Sequence, residues 1–154
     1  MKKFEFRLQR LLDIRAAKEK EIQNELAGLV SLQNAERAKQ DDLRVKMKEL
    51  GGQLREQWQK GSFNSTATSN YWDFQSKALR SIKAADLKIA SLEPAVSEVR
   101  SRLIEASREK KVVEKLKERK FEEYNYELNR ELAKESDDMN QKIYMRNLAE
   151  MEAL

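Results

Sequence analysis

The chain has no cysteine, no histidine and a single proline, and aromatic residues make up only 7% of its 154 positions. Without cysteine there can be neither disulfides nor thiolate metal centres, and with no apolar leader at the amino terminus a cytoplasmic location is the expectation. Without histidine the commonest general base and metal ligand is missing. Carboxylates alone could still catalyse, but they would need a pocket, and the pattern below offers none. No apolar run approaches the ~20 residues that cross a bilayer, so direct membrane insertion is not expected. Glycine is also scarce, with four in all, which leaves the chain few places to turn. These absences point to a protein that is not an enzyme and needs no cofactor.

What is present is charge and period. Asp, Glu, Lys and Arg supply 38% of the residues, a composition typical of long helices and coiled coils. Between Gln75 and Val113, alternating steps of three and four pass through Ala78, Ile82, Ala85, Ile89, Leu92, Val96, Val99, Leu103, Ala106 and Lys110. A seven-residue repeat of this kind keeps one narrow apolar stripe turned toward a partner helix, as in a left-handed coiled coil.

The partner precedes it. From Phe4 to Gln59 a second seam runs through Leu8, Leu12, Arg15, Glu19, Ile22, Leu26, Leu29, Gln33, Glu36, Gln40, Leu43, Met47, Leu50 and Leu54, ending at Gln57. Its polar members cluster at Arg15 and Glu19 and again from Gln33 to Gln40. Residues 60–70, rich in Ser, Thr and Asn, read as the turn, with Asn70 as helix cap and a second helix over 71–150. The predicted fold is therefore all-α, one domain: an antiparallel two-helix coiled-coil hairpin whose second helix is longer and overhangs the first. Trp58 beside Trp72 implies that facing residue numbers add to about 130. Pro94 falls on the outward face, where a kink rather than a break is expected. Trp58, Phe63, Tyr71, Trp72 and Phe74 either plug the end of the hairpin or form a docking tip.

Past Val113 the steps become four, four and three, an eleven-residue period that straightens a coil. Leu128, Leu132, Met139 and Ile143 carry the stripe beyond the expected start of the first helix, so they are solvated and frayed, serve as a partner-binding overhang, or pack against a second copy or a crystal neighbour. Charge is uneven along the chain. Residues 1–20 hold seven bases against three acids, and residues 108–120 hold seven against three. The hairpin places these segments side by side as a basic collar, suited to an acidic protein surface or a nucleic acid. Nucleic acid is disfavoured, because glutamates alternate with the bases and Phe121 and Tyr124 lie on the apolar stripe rather than free to stack. Residues 122–138 reverse the sign, with seven acids against two bases.

The run Phe6-Arg7-Leu8-Gln9, followed by Leu11-Leu12-Asp13 and Arg15, resembles the start of the flagellar FliJ proteins. Glu114 to Tyr124, with Arg130-Glu131 and Lys134-Glu135, resembles that family's carboxy-terminal signature. Ser136-Asp137-Asp138 departs from it. The resemblance implies a soluble component of the flagellar type III export apparatus at the inner face of the cell membrane. It implies a hairpin like the central stalk of rotary ATPases, bound in the hexameric ring of the export ATPase FliI. It also implies contact with the cytoplasmic domain of the export gate FlhA and recycling of export chaperones.

Carried over by position, the ring-binding candidates are Phe6, Arg7, Leu8, Gln9, Arg10, Leu12 and Arg15, with Lys115, Lys117, Arg119, Lys120 and Tyr124. Val45 and Leu87, outward apolar residues expected within about a turn of each other, are candidates for the gate together with Lys83. The stalk protein of a virulence secretion system and a generic coiled-coil adaptor or chaperone stand as alternatives.

Overall fold

In the computed structural model, which describes residues 3–152, two helices pack antiparallel: α1 (Gln9–Gln59) and the longer α2 (Ser65–Glu152). Contacts group the chain into two units, Glu19–Glu105 and the remainder on either side of it.

Within Glu19–Glu105 the seam follows the repeat. Ile22, Gln33, Gln40 and Leu54 are buried on α1, and Ala78, Ile82, Ala85, Val96 and Val99 on α2. Val96 is fully enclosed, and burying a side chain of that size stabilises by about 1.5–3 kcal/mol. The two buried glutamines sit one heptad apart and bond alike. Gln40 Nε2 donates to the Ile82 carbonyl at 3.0 Å and to Asp86 at 2.6 Å, while Gln33 Nε2 donates to the Ile89 carbonyl at 3.4 Å and to Glu93 at 3.0 Å. Buried polar side chains are tolerable only when so satisfied, and a polar seam position fixes register at some cost in stability. Beside them Glu36 pairs with Lys39 at 3.0 Å and, across the seam, with Lys88 at 3.8 Å. The hydrogen bond from Lys39 leads in holding the Glu36 carboxyl below its ordinary value, with the charges of Lys39 and Lys88 adding to the effect against partial desolvation.

Three expectations are corrected. The second helix begins at Ser65, not Tyr71, because Asn64 is the cap: its Oδ1 accepts from the amides of Thr66 at 3.0 Å and Ala67 at 3.2 Å. Serine and threonine cost a helix only a few tenths of a kcal/mol each, so a capped run of them is helical. The turn is correspondingly short. It opens at Gly61, with φ of 76°, where the Gly61 amide donates to the Trp58 carbonyl and the Ser62 amide to that of Gln57. That paired arrangement ends a helix on a left-handed residue, which glycine adopts without strain.

The shorter turn shifts the register. Gln33 with Glu93, Gln40 with Asp86 and Arg102 with Glu25 have numbers adding to 126, 126 and 127, not 130. Pro94 is therefore level with Gln33 but about two turns from Gln40. Its helix continues unbroken through it, and exposed Ala90, whose carbonyl loses its helical donor, remains open to water.

The third correction is at the amino end. α1 starts at Gln9 rather than Phe4, and the preceding segment is non-helical. The Phe4 ring instead lies 5.2 Å from Phe121, edge-on, and 5.5 Å from Tyr124.

Candidate functional site

The flanking unit, up to Lys18 and from Ala106, brings the two basic runs together. Its buried residues are Leu12 on α1 and Ala106 and Val113 on α2, and the register sets Leu12 near Val113. Register is the same here: Lys117 Nζ donates to Gln9 Oε1 at 2.8 Å, and Lys18 lies 3.8 Å from Glu109. Arg7 is thus level with Arg119, and Arg10 with the turn bearing Lys115.

The ring-binding candidates divide by what they already touch. Leu12 is buried and serves packing, so it has no surface to offer. Arg15 spends Nη1 on the Glu109 carbonyl at 2.7 Å, and Lys120 pairs with Glu123 at 2.6 Å. Tyr124 and Phe4 hold each other. By contrast, Arg7, Arg10, Lys115 and Arg119 are exposed and have no hydrogen-bond or ion-pair partner among the described residues. Four uncompensated cations at two adjacent levels make a local positive field. Lys2, the second residue of the basic run, lies outside the described residues.

Next to these cations is a cleft of about 470 Å³ lined by Phe4, Glu5, Phe6, Arg7, Leu8, Leu116 and Lys120. Its lining combines apolar Phe4, Phe6, Leu8 and Leu116 with charged Glu5, Arg7 and Lys120, the composition of a protein-docking site. Phe4 was missed as a site residue because it reads as the first turn of a helix. The signal was its position ahead of Phe6 and Leu8, one aromatic more than a helix start needs.

The gate candidates Val45, Lys83 and Leu87 are all exposed in the central unit, Val45 at 54% and Leu87 at 67%. With the observed register Val45 is level with residue 81, so Leu87 lies about six residues or ~9 Å along, more than the one turn expected. In the overhang Leu128 is half-buried, while Leu132, Met139 and Ile143 are exposed, as is every described residue from 129 onward. Among the described residues no acidic cluster could hold a metal ion, and no helix is long and apolar enough to cross a membrane.

Two antiparallel helices, the second the longer, define a helical coiled-coil protein. A family model described as flagellar FliJ protein matches residues 4–149. The chain belongs to the flagellar FliJ family, whose members are non-catalytic components of the flagellar export apparatus. No curated protein and no solved structure matches it.

Proposed function

We propose that the protein is the central-stalk component of the export machine, seating its basic end in the FliI ATPase ring and linking that ring to the FlhA gate. The observation that carries this reading is the set of Arg7, Arg10, Lys115 and Arg119, unpaired beside the Phe4–Leu116 cleft. Uncompensated cations steer an encounter with an acidic lining and make it salt-sensitive, while the apolar cleft supplies contact once the partners meet. Val45, Lys83 and Leu87 are the corresponding candidates for the gate, and recycling of export chaperones completes the role.

The test is ATP hydrolysis by purified FliI against added stalk protein at two salt concentrations. Changing Arg7, Arg10, Lys115 and Arg119 together to glutamate abolishes stimulation while helicity and melting stay near the parent's, since none of the four bonds to another of the described residues. Lys117 is left alone because Gln9 depends on it. A folded quadruple variant that stimulates as well as the parent overturns the stalk reading in this form.

A further inference from the structure

We infer that the stretch Leu128–Ile143 is a self-recognition surface, pairing antiparallel about a two-fold axis with the same stretch of a second copy of this chain. This goes beyond the stalk reading and does not depend on it.

The first observation is the stripe itself. Leu132, Met139 and Ile143 are 53%, 64% and 50% exposed, so the apolar repeat buried elsewhere on α2 is here uncovered. The second is its spacing. Leu128, Leu132, Met139 and Ile143 are separated by four, seven and four residues, an order that reads the same in both directions. Turned about a point between Glu135 and Ser136, Leu128 meets Ile143 of the second copy and Leu132 meets its Met139. An isologous interface requires this self-complementarity, and an arbitrary stripe does not have it.

The third observation is charge. Residues 122–131 contain Glu122, Glu123, Glu127 and Glu131 against Arg130, a net −3, whereas residues 140–149 contain Lys142 and Arg146 and no acid, a net +2. The same two-fold lays the acidic decade of each copy along the basic decade of the other. A parallel pairing would set like against like, so charge selects the antiparallel arrangement. The centre is less favourable: Glu135, Asp137 and Asp138 of both copies gather around the axis, relieved by Lys134 opposite Asp137 of the second copy. The dimer is accordingly expected to be weak and reversible.

The absence of cysteine makes the arrangement directly testable, because any introduced thiol is the only one. Single variants of the full chain are treated with a short bis-maleimide linker, and mass is followed by sedimentation over a concentration series. Glu135→Cys, beside the axis, links to itself. Glu127→Cys alone does not, because its two copies lie about 25 Å apart, but it links when mixed with Tyr144→Cys, which it faces. Leu132→Glu with Met139→Glu, at exposed positions that leave helicity unchanged, raises the dissociation constant about tenfold or more. An average mass that stays at 18.1 kDa up to about 1 mM protein overturns the proposal. So does Glu127→Cys linking to itself as readily as Glu135→Cys, which marks a parallel pair. Neither readout involves the ATPase, so this inference and the stalk reading fail separately.

Discussion

Helix α2 carries apolar residues at helical spacing in two settings. From Ala78 to Val113 the stripe is covered by α1: Val96 has no exposed surface, and Ala78, Val99 and Ala106 have almost none. From Leu132 to Ile143 comparable side chains at comparable steps are half-exposed or more. The local signal is the same and the burial is opposite. A periodic stripe tells a reader that a helix wants a partner, but not whether the chain supplies it. That depends on where the other helix ends, and α1 begins at Gln9, which the register pairs with Lys117.

The largest effect that could break this contrast comes from a charge in each setting. Val96→Asp places a carboxylate where nothing solvates it and should lower stability by about 3–5 kcal/mol. Ile143→Asp, in dilute protein, should change it by less than about 0.5 kcal/mol. Thermal melts in which the two behave alike would mean that the overhang is packed or the seam is not.

Pro94 sharpens the comparison from within the covered stretch. It sits exposed on a helix that packing holds continuous, so Pro94→Ala restores an amide for the Ala90 carbonyl and should raise stability by about 1–3 kcal/mol. An unchanged or lower melting temperature would show that the proline fits its site better than an alanine does.

Smaller again is the helix cap. Asn64→Ala removes the acceptor for two amides and should cost about 1 kcal/mol, whereas Asn70→Ala, inside the helix, should be near neutral or slightly stabilising. The reverse order in urea titrations would return the helix start to Tyr71.

The smallest effect is that of Glu36. Its folded-state value is lowered, so its contribution is present above its ordinary value of 4.5 and is lost as pH falls through the lowered one. Glu36→Gln should therefore melt slightly earlier than the parent near neutral pH, with the gap closing in acid. A gap that widens in acid would mean that the carboxyl is not held in its charged form.

Much of the fold was legible because heptads report directly on helix pairing. Every buried seam residue, including Gln33 and Gln40, stands at a position the repeat assigned. Two of the three errors, the start of α2 and the register, share one cause. Ser65 to Asn70 contains only small residues that serve equally in turns and in capped helices, and nothing local distinguishes Asn64 from Asn70 as the cap. Placing the cap six residues late lengthened the turn and moved the register from 126 to 130.

The site was legible in outline, since two basic runs had to meet once the hairpin was drawn. Which cations remain free was not, because that turns on contacts such as Lys117 with Gln9 and Arg15 with the Glu109 carbonyl. Phe4 was hidden for a related reason. Its role lies in leaving the helix to reach Phe121 and Tyr124, and periodicity describes only residues that stay in one.

The claim that the basic end is the ring-binding surface is tested most directly by amide hydrogen exchange of the full chain, alone and with excess FliI. The expected result is added protection over residues 4–15 and 113–124, with residues 45–87 exchanging as in the free protein. Protection gained over 45–87 while 4–15 and 113–124 stay unchanged would contradict it, and would move the ATPase contact away from the cations that define the site.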